Sequence, residues 1–207
     1  AQTPPEKNAV LLKDLDIPTT IKNNPIYNRL EKRDRDIRTV MSYARSGNYN
    51  KIDNFISNYP IDKRAEFLSY ALDEMIDETV FDLDFSLRMI DKYVTGKRNE
   101  KRWILSRFLR RLSASDHKAA INIISMRKDK SLRFDLLKAA VNNWKGPAVK
   151  EAVDYALTLN LRKDDLDELI DDFSKDHPYL AYPYAAKRGL IDYLYLQNWH
   201  NQAPKQA

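Results

Sequence analysis

Glycine occurs only four times in 207 residues, at positions 47, 96, 146 and 189. That scarcity constrains the fold more than any other feature. Sheets and loop-rich folds use glycine where the chain turns through positive φ or forms a bulge. A chain this poor in it must fold mainly as helices, which need glycine only at their ends. The apolar pattern agrees, because residues recur every three or four positions from Tyr27 onward. Leu30, Ile37, Val40, Met41 and Ala44 form one stripe; Ala65, Leu68, Ala71, Leu72, Met75 and Ile76 form another; Leu166, Leu169, Ile170 and Phe173 form a third. The expected class is all-α, with about ten or eleven short helices.

The glycines lie 49, 50 and 43 residues apart. Each follows one apolar stripe and precedes the next, where a left-handed helix C-cap is expected. Pro60, the run Ser113–Asp116 and His177-Pro178 mark further breaks or helix starts. Residues 1–25 hold four of the nine prolines and no sustained stripe. They read as an extended arm, which Val10, Leu11 and Leu12 could dock on the body. Residues 26–200 then form a single repeat-like helical domain, and 201–207 a flexible tail. A period near 50 containing two hairpins fits antiparallel helix pairs stacked as a short α-solenoid. An irregular helical bundle is the alternative.

Residues 43–56, YARSGNYNKIDNFI, resemble the helix–turn–helix core of an ankyrin repeat. Ala44, Gly47, Ile52, Phe55 and Ile56 carry the likeness, and AAKRG at 185–189 is similar to its first half through Ala186 and Gly189. The Thr-Pro-Leu-His element of that family is absent, and the spacing lies nearer the 40–47 residues of HEAT repeats. The resemblance implies a protein-binding scaffold without enzyme activity.

No phosphate-binding glycine loop, HExxH or GxSxG motif is present. Cysteine is absent, which excludes disulfides, thiolate metal sites and cysteine nucleophiles. His117, His177 and His200 lack the one-turn spacing that places two ligands on one helix face. Catalytic, cofactor and metal sites are therefore not expected. The acidic runs 73–84 (DEMIDETVFDLD) and 164–172 (DDLDELIDD) lack the glycine and closing glutamate of a calcium loop. They read as solvated helix faces. The other reading is an acidic surface for a basic partner.

The sharpest candidate is KRWILSRFLRRL at 101–112. At 100° per residue Ile104, Leu105, Phe108, Leu109 and Leu112 share an arc of about 140° and must face a core. Trp103, Arg107 and Arg110 fall opposite, with Arg111 beside them. Arg107 lies one turn from Trp103, a spacing suited to stacking a guanidinium on the indole. With Lys97, Arg98, Lys101 and Arg102, the segment 97–112 holds seven cations against Glu100 alone. Arg127, Lys128, Lys130 and Arg133 extend the patch if the next pair stacks alongside. Such a face suits an acidic protein partner, with nucleic acid as the alternative. Arginines over apolar surface also describe an ordinary wet helix side.

A second candidate interface is the aromatic C-terminal segment, with Tyr182, Tyr184, Tyr193, Tyr195 and Trp199. Such residues suit interfaces and half-wet terminal caps alike. The net charge of +5 favours acidic partners mildly. No apolar run approaches the ~20 residues of a membrane span. The start at Ala1 fits either initiator removal or export cleavage, and cytoplasmic placement is slightly favoured. The expectation is a non-enzymatic interaction module.

Overall fold

A computed structural model of the chain describes residues 19–96 and 98–202, with only the backbone of Arg98. Among these residues there are eleven helices and no strands. They are α1 (Thr19–Lys22), α2 (Pro25–Arg45), α3 (Tyr49–Ser57), α4 (Ile61–Asp77), α5 (Leu83–Tyr93), α6 (Arg98–Ser125), α7 (Lys130–Asn143), α8 (Pro147–Thr158), α9 (Lys163–Asp176), α10 (Pro178–Arg188) and α11 (Tyr193–Gln202). No helix of the described residues is long and apolar enough to cross a membrane.

Short polar side chains start many of these helices by binding backbone N–H groups that have no partner within the helix. Asn24 accepts from Ile26 N at 2.8 Å, Asp82 from Phe85 N at 2.6 Å, and Asp129 from Ser131 N at 2.9 Å. Pro25, Pro147 and Pro178 take first-turn positions, where a missing N–H costs nothing. α6 is two helices in one run. Asp116 leaves helical geometry (φ −145°, ψ 79°) and its carboxylate accepts from Ala119 N at 2.9 Å, so 117–125 begins anew. This is the restart expected from the Ser113–Asp116 run.

α2, α4, α6, α7, α9 and α11 contact one another in turn and make a first layer, and α2, α4, α7 and α9 each also pack on the helix that follows, α3, α5, α8 and α10. Polar side chains tie each pair to the next at sequence separations of 30–39 residues. Arg45 binds Glu78 through two hydrogen bonds of 2.7 and 2.8 Å, Lys92 binds Asp53 at 2.8 Å, and Lys138 binds Glu168 at 2.5 Å. Tyr184 donates to Asp154 at 2.5 Å. First-layer helices start at residues 25, 61, 98, 130, 163 and 193, so the structural offset is 30–37 residues. It is not the 50 suggested by the glycines.

The glycines mislead because only two of them close helices as expected. Gly47 (φ 66°) and Gly189 (φ 70°) are left-handed, and the residue after each returns a 2.9 Å bond to a carbonyl five residues back. Gly146 (φ 59°, ψ −139°) instead precedes Pro147 and leads into α8, because a residue before proline is pushed out of the helical region. Gly96 has no positive φ. The turn after α4 has the same bond pattern as Gly47 but is made by Thr79 (φ 57°), a β-branched residue in the left-handed region. That helix end carries no glycine signal.

One core runs through the stack. Val40, Met41, Ala44, Ile52 and Ile56 are buried, as are the predicted faces of α4 and α9 from Ala65 to Met75 and Leu166 to Phe173. Ile37, Phe55 and Ile76 are half-buried against it. Leu30 departs from its stripe and is exposed, because the first three turns of α2 bury no residue. In AAKRG the buried alanine is Ala185, and Ala186 faces solvent, so that match to Ala44 is off by one position. Of the expected arm, 1–18 lie outside the described residues, and Thr19–Lys22 form a helical turn instead of extended chain. Of the expected tail, Asn201 and Gln202 complete α11 and 203–207 lie outside the described residues.

Two tests follow from the turns and ties. Thr79→Gly should raise stability by about 0.5–1 kcal/mol by relieving left-handed strain, and Gly47→Ala should lower it by about 1 kcal/mol. A Cβ at Gly47 meets nothing within 4 Å, so that loss is backbone strain alone. Urea unfolding of both variants measures the pair. Hydrogen bonds from Lys92 and Tyr93 hold the Asp53 carboxyl below its usual 3.8. A lowered carboxylate stabilises above the unfolded-state pKa, and that contribution disappears as pH falls through the folded value. Asp53→Asn should therefore flatten the loss of urea midpoint below about pH 4.

Candidate interaction surface

The basic segment occupies the first half of α6, and its apolar arc is placed as the spacing predicts. Ile104, Leu105, Phe108, Leu109 and Leu112 are all buried. Trp103, on the opposite side, is 47% exposed. The cations around it differ from one another.

Arg107 reaches across to α4. Its Nε donates to Asp73 Oδ2 at 2.6 Å, and Asp73 is only 4% exposed. Burial raises the Asp73 carboxyl above its ordinary value, and the bond from Arg107 opposes that rise. Asp73 Oδ1 is buried without a protein donor among the described residues. Arg107 is therefore a half-buried counterion for a core carboxylate. Removing one partner of such a pair leaves a buried charge and costs about 3–5 kcal/mol.

The same guanidinium enters a row of stacked groups. Arg107 lies 4.6 Å from the centroid of Tyr70 on α4, and Arg33 on α2 lies 4.4 Å from it, so two cations stack on this ring. Arg107 is also 5.7 Å from the Trp103 ring, the stacking expected from the one-turn spacing. Arg33, Tyr70, Arg107 and Trp103 thus alternate cation and ring across α2, α4 and α6. The row fixes an exposed indole by groups that are themselves fixed. Arg33 and Tyr70 carry no sequence signal for this, because their neighbours lie 37 residues apart.

Other members of the basic set are also paired. Lys101 lies 3.5 Å from Asp91, and Arg111 lies 3.4 Å from Asp77. Arg127 shares Asp91 at 3.3 Å and donates to Ile123 O. Arg102 and Arg110 are exposed and have no carboxylate partner among the described residues. Lys128 and Lys130 are exposed, and Arg133 is half-buried. Lys97 and the side chain of Arg98 lie outside the described residues.

The acidic run 73–84 is a solvated face except at Asp73: Glu74, Asp77, Glu78, Asp82 and Asp84 are exposed and Asp73 is buried. Asp73, Asp77 and Glu78 bind Arg107, Arg111 and Arg45 on neighbouring helices, and Asp82 caps α5. In 164–172, Asp165 pairs with Arg162, Asp167 with Arg188, Glu168 with Lys138, and Asp172 with Lys175. His117 lies 3.8 Å from Glu151, and His177 packs on Phe173.

The C-terminal aromatics divide into two groups. Tyr195 is buried, donates its hydroxyl to Pro178 O, and is pushed up to about 12 by burial. Tyr184 is half-buried on Asp154. Trp199 is half-buried, with Tyr179 at 4.1 Å and Tyr182 at 5.6 Å between ring centroids. Tyr182 and Tyr193 are exposed. Leu180, Leu194 and Leu196 are exposed beside them; a count of aromatics passes them over, although their apolar character next to polar-tipped rings is visible in the sequence.

Comparison of the chain with protein-family models, with curated proteins and with solved structures returned no match.

The row of rings and guanidiniums makes a specific demand on Tyr70. Tyr70→Leu should cost about 1–2 kcal/mol by removing two stacked cations, whereas Tyr70→Phe, which keeps the ring, should cost much less. Guanidinium chloride unfolding of the two variants distinguishes ring from bulk.

Proposed function

We propose that this chain is a non-enzymatic interaction module, an adaptor or assembly scaffold that holds an acidic segment of a protein partner on the first half of α6. The observation that carries the reading is Trp103, which is 47% exposed yet stacked on a guanidinium fixed by a core carboxylate. A rigid, half-wet indole contributes large contact area at little entropic cost. Arg102 and Arg110, free of carboxylates among the described residues, supply charge for a partner's Asp or Glu. The stack of helix pairs supports a scaffold, because each pair adds rigid surface.

Nucleic acid is the second reading, supported by the same cations and the same ring. The pairing of Lys101, Arg107 and Arg111 with acids favours protein, since phosphate binding needs several unneutralised cations along one track.

Trp103→Ala with Arg110→Ala should keep the circular dichroism and urea midpoint of the parent while weakening binding of an acidic, aromatic-containing peptide at least tenfold in calorimetry. Single- and double-stranded oligonucleotides titrated in rising salt form the second arm. Salt-dependent oligonucleotide binding lost in the same variant, with no peptide binding, would move the function to nucleic acid.

A further inference from the structure

An open cleft between α2 and α3 carries this inference, and it is independent of the reading of the α6 face. The cleft has a volume of about 520 Å³, within the range of small-ligand sites. Tyr43, Phe55 and Tyr59 line it, and all three rings are half-buried. They are backed by the core: Tyr59 stacks on the buried Phe67 of α4 at 4.2 Å between centroids, and Phe55 lies 5.9 Å from the same ring. An apolar group entering the cleft therefore meets a preformed aromatic surface, with little side-chain ordering left to do.

The charges of the cleft select the group that accompanies a ring. Lys32 on α2 and Lys51 on α3 line it, and both are exposed. Neither has a carboxylate partner among the described residues, whereas Lys92, Lys101, Lys138, Lys150 and Lys175 are all paired. Lys51 holds its ammonium 5.6 Å from the centroid of Tyr43, so cation and ring share one place. Asp36 also lines the cleft and lies beside the Tyr59 hydroxyl, which burial and this neighbour raise above its usual 10. Two ammoniums against one carboxylate leave a single positive charge. A ligand carboxylate balances that charge, whereas a phosphate monoester brings about two negative charges at pH 7.

The third feature is an amide edge. Asn54 and Asn58 line the cleft, and Asn58 Nδ2 donates to Asn54 O at 2.9 Å and to Asn54 Oδ1 at 3.4 Å. These bonds leave Asn54 Nδ2 and Asn58 Oδ1 without a partner among the described residues. One donor and one acceptor are what the C=O and N–H of a peptide group require.

We propose that this cleft binds the free C-terminal end of a peptide whose last residue is aromatic. The ring packs on Tyr43, Phe55 and Tyr59, the terminal carboxylate takes Lys32 and Lys51, and the last peptide group meets Asn54 and Asn58. A C-terminal aromatic residue carries ring, carboxylate and peptide N–H on one Cα, so one residue matches all three features. An internal aspartate or glutamate supplies a carboxylate without the ring.

Calorimetric titration of the 207-residue chain with the N-acetylated peptide SGSGF, bearing a free carboxylate, tests the proposal. The same peptide amidated at its C-terminus should bind about tenfold more weakly or worse, because its charge-assisted bonds to the two lysines are lost. Lys32→Met with Lys51→Met should show the same loss, while Trp103→Ala with Arg110→Ala should bind the free acid as the parent does. In proton–nitrogen NMR spectra of the parent chain the free acid should shift the side-chain amides of Asn54 and Asn58, a readout that needs no variant. The proposal is overturned by no binding up to about 5 mM, by equal affinity for acid and amide, or by binding that the double methionine variant keeps. Loss of binding in the Trp103 variant would place the peptide on the α6 face instead, and tighter binding of adenosine monophosphate than of the peptide would make the cleft a nucleotide site.

Discussion

The contact between Asp73 and Arg107 fixes how the rest of the surface is arranged. A carboxylate buried in the layer between α4 and α6 requires a cation within hydrogen-bonding reach, because an isolated charge there would be prohibitively destabilising. Arg107 meets that requirement from a helix whose rotation is set by burial of Ile104, Leu105, Phe108, Leu109 and Leu112, which also turns Trp103 outward. Tyr70 and Arg33 extend the same constraint to α2. The exposed indole therefore stacks on a guanidinium that an internal joint holds.

The joint also changes what the basic composition means. Seven cations in 97–112 read along the sequence as one continuous patch. Their carboxylate partners sit on neighbouring helices, 34 residues away for Arg107 and Arg111. Folding thus sets several members of the basic run against acids of neighbouring helices, although only the Asp73–Arg107 pair lies in the core. What is left on the α6 face is smaller and more selective than the composition implies: one ring with Arg102 and Arg110 near it.

Fold class and helix faces were legible because they depend on local periodicity. The all-α class, the apolar arc of α6, the outward Trp103 and the restart at Asp116 all follow from neighbours within four residues. The stacking offset was not, because it is set by which turns recur in space, and Thr79 turns α4 into α5 without a glycine. Leu30 fits its stripe perfectly, yet burial also needs a covering element, which the first turns of α2 lack. Asp73 resembles its acidic neighbours in sequence, and only the position of α6 makes it a core residue. In the C-terminal segment the tyrosines drew notice, while burial separated Tyr195 from Tyr193 and brought Leu194 and Leu196 forward.

The most direct measurement is a double-mutant cycle on this joint, with Asp73→Leu, Arg107→Met and the two combined, followed by urea unfolding. If the pair organises α4 against α6, Arg107→Met loses about 3–5 kcal/mol by leaving the buried Asp73 carboxylate, Asp73→Leu loses less because Arg107 is half-buried, and the double variant loses far less than the two together. Losses that simply add, or single variants within about 0.5 kcal/mol of the parent, would contradict the account and leave the Arg107–Trp103 stack without its anchor.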